Sequence, residues 1–310
     1  MSGIGIITNP HSKLNKRNPR RTELLGYILG EKGQLEVTRS LEDLSRVARD
    51  FKEKGITILA INGGDGTICR TLTAFLREYG DVPMPQIALL RGGTINVLAT
   101  NLGISGTPEE VLYRLIEAHS TGGALHTRKM TTIQVEDNYG FLFGNGVAAS
   151  FLKEYYRRKS GPLGAFIWVL GVWGSRFVGG QLHYRVVKDI PVALSADGEP
   201  PIAHSTCAIF ASTVAKMPLG YPLFEALSAN PGKFQMVSFT FAAKDAIWKL
   251  PIVMLKRKEG STTGKMTFCA RSLRIESDAP FDYTLDGELY VSRSHSLMVQ
   301  TGPELEFVAL

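Results

Sequence analysis

Two glycine-rich turns are the residues of this sequence best suited to hold an anion. Asn62-Gly63-Gly64-Asp65-Gly66-Thr67 follows the β-branched run at residues 56–61, and Arg91-Gly92-Gly93-Thr94-Ile95-Asn96 follows the apolar run at 86–90. Glycine lets the backbone approach a phosphate closely, and the start of a following helix adds unpaired N–H groups and the positive end of its dipole. The first apolar run, residues 4–8, also ends in a polar turn, Asn9-Pro10-His11-Ser12. Ligands of open α/β sheets gather at the carboxyl ends of strands, so these turns are expected to enclose one crevice. Neither the Walker pattern nor the dinucleotide fingerprint is present. Asp65 would repel a phosphate unless it handles a metal or a hydroxyl. The tripeptide Asp-Gly-Glu occurs twice, at 197–199 and 286–288. A carboxylate can act as general base towards a hydroxyl, but Asp-Gly is also a preferred hairpin turn. Residue types alone do not separate the two copies.

The elements that must position these groups follow from periodicity. Apolar residues predict strands at 4–8, 35–37, 56–61 and 86–90. Helical spacing predicts helices at 21–29, through Leu41, Leu44, Val47, Ala48 and Phe51, through Ile68, Leu72, Phe75, Leu76 and Tyr79, and from Thr107-Pro108-Glu109-Glu110 onward. This β-α-β order implies a doubly wound sheet. Beyond about Lys129 short extended segments dominate: 131–135, 141–143, 182–187, 192–195, 206–211, 234–241, 265–269, 273–276 and 289–291. They imply an antiparallel, sandwich-like domain, interrupted by helical stretches around 148–158 and 243–256.

The bulk numbers suit such a chain. At 310 residues two domains are expected. Cys69, Cys207 and Cys269 form no metal-ligand spacing, and the six histidines make no HExxH pattern. The start has no basic-then-apolar leader, and the apolar run at 165–174 is too short to span a bilayer. The formal charge of +6 is clustered at Lys13, Lys16, Arg17, Arg20 and Arg21, at Arg157-Arg158-Lys159 and at Lys256-Arg257-Lys258. Such clusters favour an anionic surface, and no nucleic-acid module accompanies them, so no nucleic-acid partner is expected.

Taken in order, Asn9-Pro10-x-Ser12, Gly63-Gly64-Asp65-Gly66-Thr67, Gly92-Gly93-Thr94-x-Asn96 and Asp286-Gly287-Glu288 resemble the diacylglycerol kinase/sphingosine kinase catalytic family. Phe143-Gly144-Asn145-Gly146 resembles the segment that opens its second domain. The resemblance implies a phosphofructokinase-like α/β nucleotide domain, residues 1–128, then a β-rich lipid-substrate domain, residues 129–310, whose last residues pack back on the first; the active site would lie in the cleft between them. It implies a cytoplasmic, peripherally membrane-associated lipid kinase, using ATP and Mg²⁺ to phosphorylate a hydroxyl of a diacylglycerol-like or sphingoid lipid, with a homodimer allowed. By matching position, Gly63, Gly64, Asp65, Gly66 and Thr67 would bind the ATP phosphates. Asn9, Ser12, Thr38, Gly92, Gly93, Thr94 and Asn96 would line the nucleotide site. Asp286 is favoured as the base, with Glu288 beside it; Asp65 is assigned to metal or substrate, and Asp197 to an ordinary turn.

The sequence departs from the family's pattern at Cys69-Arg70, at Val97, and at Asn230-Pro231-Gly232, where the family carries an acidic pair tied to a structural Mg²⁺. Phe166, Trp168, Trp173 and Phe177 belong to a greasy stretch that reads equally as an ordinary core helix or as a surface that meets acyl chains or the bilayer. The competing readings are an NAD kinase and a catalytically silent nucleotide- or lipid-binding protein.

Overall fold

Every residue of β1 (Ile4–Thr8) and β3 (Ile58–Asn62) is buried, as their unbroken apolar runs require of strands covered on both faces. The computed structural model describes residues 3–121, 125–158, 188–217, 220, 222–240 and 264–310. The helix expected at 243–256, the strand expected at 182–187, the greasy stretch at 166–177 and the cluster Lys256-Arg257-Lys258 lie outside them. The chain divides into two units: Met1–Phe141 with Lys216–Pro222 and Gly302–Leu310, and Leu142–Ala215 with Leu223–Thr301.

The first unit is α/β. Its sheet runs β2 (Gly33–Val37), β1, β3, β4 (Gln86–Leu89), all parallel. The last residues of the final strand, β16 (Ser296–Val308), extend it through Phe307 beside Ile87. The helices are α1 (Lys13–Arg17), α2 (Arg21–Leu29), α3 (Leu41–Glu53), α4 (Asp65–Tyr79), α5 (Val97–Asn101) and α6 (Pro108–Ser120). Reciprocal capping boxes start α3 at Ser40 and α6 at Thr107. Leu44, Val47, Ala48 and Phe51 of α3 are buried, and the Phe51 ring meets Phe75 of α4 edge-on at 6.0 Å. A hairpin of β5 (Thr127–Val135) and β6 (Asn138–Gly140) lies on α4, where the Tyr139 N–H donates to Thr73 Oγ1.

The second unit is an antiparallel β domain with one described α-helix and a short 3-10 helix, Glu225–Ala229. It contains β7 (Leu142–Gly146), α7 (Val147–Arg158), β8 (Ile190–Ala196), β9 (Ile202–Thr206), β10 (Ala208–Ser212), β11 (Phe234–Phe239), β12 (Lys265–Ala270), β13 (Ser272–Glu276), β14 (Asp282–Leu285) and β15 (Glu288–Val291). One sheet is ordered β12-β11-β10-β7-β14-β15; the other joins the start of β16 to β13, β8 and β9. The single strand expected at 206–211 is two strands, because Thr206 Oγ1 accepts the Ala208 N–H and turns the chain at Cys207.

The long β16 escapes the sequence pattern because Gly302-Pro303 reads as a turn. In the strand, Gly302 makes room for the β5–β6 hairpin: a Cβ there would sit 2.5 Å from Thr132 Oγ1. The missing proline N–H leaves only a carbonyl, which accepts from the Thr132 hydroxyl at 2.9 Å.

Gly5 makes a similar allowance inside the first unit, since its Cβ would lie 2.2 Å from the Phe51 ring. That ring is held by Phe75 and has no room to retreat. Gly5→Ala is expected to destabilise the fold by about 1–3 kcal/mol, read as a lower midpoint in urea; an unchanged midpoint overturns this packing account.

Candidate active site

Because β1, β3 and β4 are neighbours in one parallel sheet, the turns after Thr8, Asn62 and Leu89 leave the same edge side by side. Hydrogen bonds then tie them together. The Asn9 N–H donates to the Asn62 carbonyl at 3.2 Å, and Asn9 Nδ2 to Thr67 Oγ1 at 2.9 Å. Ser12 Oγ donates to the Gly92 carbonyl at 3.1 Å. Thr38 is buried after β2, its N–H on the Thr8 carbonyl at 3.0 Å. The second turn folds on itself: Gly93 N–H donates to Asn96 Oδ1, and Asn96 Nδ2 to the Gly93 carbonyl. Thr94 is exposed at its tip.

Backbone contact between the two glycine turns is the tightest feature. A Cβ on Gly92 would lie 2.4 Å from Asn62 Oδ1 and 2.8 Å from the Gly63 nitrogen; one on Gly93 would lie 2.4 Å from the Gly64 Cα. A Cβ on Gly63 would lie 2.4 Å from Thr67. Gly64 is the N-cap of α4 and supplies no side-chain cap, so the first-turn N–H groups at Gly66 and Thr67 are left for a ligand or water, while the Asp65 N–H bonds its own carboxylate. Beneath them Thr8 Oγ1 and Asn62 Oδ1 are buried with no hydrogen-bond partner among the described residues. A wall of glycine backbone and an uncapped helix start fit a polyphosphate.

Asp65 is placed differently from its neighbours. Its Oδ1 accepts the Leu98 N–H at 3.4 Å, so the carboxylate caps the start of α5 and links the two turns. Burial pushes its carboxyl above the ordinary range, while the N–H groups of Val97, Leu98 and Asn96 pull it part of the way back. Among the described residues no three His, Cys, Asp or Glu groups cluster to cage a metal.

In the second unit, Asp286-Gly287 is the two-residue turn between β14 and β15, with φ of 48° and 81°. Asp197-Gly198 opens the longer, five-residue connection 197–201 between β8 and β9, with φ of 48° and 83°. Each aspartate bonds to a neighbouring strand in the same way. Asp286 N–H donates to the Leu142 carbonyl and its Oδ1 accepts the Leu142 N–H at 2.9 Å. Asp197 N–H donates to the Ser272 carbonyl and its Oδ1 accepts the N–H groups of Ser272 and Arg271 and the Ser272 hydroxyl. Partial burial works against the Asp197 charge, but the Ser272 and Arg271 donors outweigh it and hold the carboxyl below the usual range. Glu288 opens β15 across from Leu285, half-buried.

The sequence reading missed Asn15. It sits among the basic residues of α1 yet is buried, with Nδ2 on the carbonyls of Asn9 and Asn62 and Oδ1 accepting from Asn62 Nδ2. Only its neutral, short side chain in an otherwise charged run marked it. Arg91 was also passed over; it is held at φ 56°, its Nη1 on the Gly106 carbonyl. At Asn230-Pro231-Gly232, Asn230 Nδ2 donates to the Ala226 carbonyl.

Comparison with known proteins agrees with this geometry. Residues 4–126 match the family described as "Diacylglycerol kinase catalytic domain". "Probable lipid kinase YegS" of Shigella flexneri is 32% identical over 88 residues, covering 27% of this chain and 29% of that protein. Its Escherichia coli O157:H7 counterpart matches over the same shares. The aligned region thus spans less than a third of these relatives. A putative diacylglycerol kinase from Bacillus anthracis superposes with a TM-score of 0.72 at 15% identity, covering 100% of this chain and 98% of that one, which establishes a shared fold.

Gly93→Ala forces backbone against backbone and is expected to weaken ATP binding by at least about tenfold, a loss of about 1.4 kcal/mol, measured by calorimetry; unaltered affinity removes the glycine wall from the nucleotide site. Asp65 gives a second test. Its raised native value means that this group's stabilising contribution is complete below the ordinary carboxylate range and lost as pH rises through the native value. Asp65→Asn keeps an oxygen for Leu98 and abolishes that loss. The variant should melt at neutral pH no lower than the parent; a clear drop shows that the charge itself holds the turns together.

Proposed function

We propose that this chain, whose residues 4–126 match the diacylglycerol kinase catalytic domain family, transfers the γ-phosphate of ATP to a hydroxyl of a diacylglycerol-like or sphingoid lipid. The observation that carries the proposal is the glycine-on-glycine contact beside the uncapped start of α4, which suits a triphosphate better than any uncharged ligand. In this reading the N–H groups of the α4 first turn bind phosphate oxygens, and Asn9, Ser12, Thr38, Thr67, Thr94 and Asn96 shape the nucleotide site. Phosphoryl transfer asks the protein chiefly for positioning and charge stabilisation, and backbone donors held by packed glycines supply both.

Asp286 is proposed as the base. Its carboxylate takes the proton of the lipid hydroxyl as that oxygen bonds to the γ-phosphorus; the bond to the bridging oxygen breaks and ADP leaves with the electron pair. Asp197 has the same tripeptide at the head of a longer connection, but three donors converge on one of its oxygens. That leaves it poorly suited to collect a proton. Mg²⁺ would accompany the phosphates and offset their charge. No step runs through a protein-held metal, because Asp65 faces the α5 amides. The acceptor places the work at a lipid surface, where the exposed Lys16, Arg17 and Arg20 around α1 suit anionic headgroups. No described helix is long and apolar enough to cross a membrane.

One assay tests the whole reading: purified protein with Mg-ATP and, separately, diacylglycerol, sphingosine, ceramide and NAD. Transfer of label to a lipid is expected, and Asp286→Asn should lower its rate by ~10²–10⁴. Label on NAD alone, or on nothing while ATP still raises the melting temperature, defeats the lipid-kinase proposal. A full-rate Asp286→Asn enzyme moves the base elsewhere.

A further inference from the structure

The two Asp-Gly pairs share backbone angles and a bond to the neighbouring strand, but one is a two-residue turn, the other opens a five-residue connection, and they differ in what covers them. Tyr156 of α7 donates its hydroxyl to the Gly287 carbonyl at 2.7 Å. One turn earlier on the same helix, Lys153 Nζ meets Asp282 Oδ2 at 2.7 Å. The helix therefore grips the β14–β15 hairpin at both ends, at the first residue of β14 and in the turn itself. The strand side is fixed as well: Asn145 Nδ2 donates to the Asp282 carbonyl at 3.2 Å, the Leu142 carbonyl accepts the Asp286 N–H, and the Leu142 N–H donates to Asp286 Oδ1. Among the described residues no side chain reaches the Gly198 carbonyl of the other pair. A hairpin tip is ordinarily the loosest part of a sheet, so a helix that holds this one marks a requirement for position.

We propose that Tyr156 is a positioning residue for the reaction: through the Gly287 carbonyl it fixes the turn that carries Asp286 and sets where the carboxylate meets the acceptor hydroxyl. This rests on the assignment of Asp286 as the base, and the tests separate the two. Tyr156 is half-exposed, so Tyr156→Phe removes the hydroxyl with little loss of packing.

On the lipid that the acceptor panel labels, Tyr156→Phe should lower kcat by about tenfold, as displacement of a reacting group by a fraction of an ångström does. KM for ATP and the melting temperature should stay near the parent's. Hydrogen exchange across residues 282–291 should quicken, whichever acceptor is used. In an Asp286→Asn background the same change should have no further effect on kcat, because there is no base left to misplace. Ser195→Ala, which removes the hydroxyl bonded to the Glu199 carbonyl in the connection that Asp197 opens, should leave kcat unchanged. If Tyr156→Phe fails to fold, Lys153→Met carries the same expectations. Parental kcat and exchange in Tyr156→Phe, or an undiminished effect of it in the Asp286→Asn background, overturns the proposal. A fully active Asp286→Asn enzyme sinks the base assignment instead.

Discussion

The site depends on an approach of backbone to backbone that no side chain can enter. Gly63 and Gly64 at the end of β3 touch Gly92 and Gly93 at the end of β4, closely enough that a methyl group on Gly92 or Gly93 would overlap main-chain atoms. Adjacent parallel strands lie close to 4.8 Å apart, and turns leaving them diverge unless something holds them. Here the hold comes from small residues and from short polar bridges: Asn9 to Thr67, Ser12 to Gly92, and Asp65 to the amide of Leu98. The start of α4 lies beside this main-chain contact, with no side-chain cap from Gly64.

This makes Asp65 intelligible without a metal. A carboxylate in a phosphate loop is unfavourable if it points at the ligand. Turned onto the start of α5, it satisfies amides that no other side chain caps, since the α5 N-cap, Asn96, spends its own side chain on Gly93. Its burial costs charge stability, seen in the raised carboxyl, and the α5 amides offset part of that cost. The residue acts as a brace between two turns.

Much of this was legible in the sequence, and the part that was not has identifiable causes. The apolar runs of β1 and β3, the capping signal at Thr107 and the glycine turns announced the α/β unit and the edge where its loops meet. Asn15 was hidden because a basic run predicts solvent exposure, whereas burial here is set by two tertiary hydrogen bonds to Asn9 and Asn62. The strand β16 was hidden by Gly302-Pro303, whose local preference is overruled by packing against Thr132 and Tyr139. The two Asp-Gly-Glu copies were indistinguishable for a stricter reason. Their residues and backbone angles are the same; what differs is the partners that the fold brings to each, among them a helix that lies far away in sequence.

The departures from the family pattern fall where a backbone-built site can absorb them. Cys69 is buried against the hairpin, its thiol donating to the Tyr139 carbonyl. Val97 contributes its main chain to the start of α5, which any residue but proline could do. Arg70 is exposed on α4, beyond the first-turn amides. None of these side chains replaces a donor at the start of α4, because the donors are peptide N–H groups. A site made in this way tolerates side-chain change along its helices, yet admits almost none at the few glycines whose missing atoms create the room.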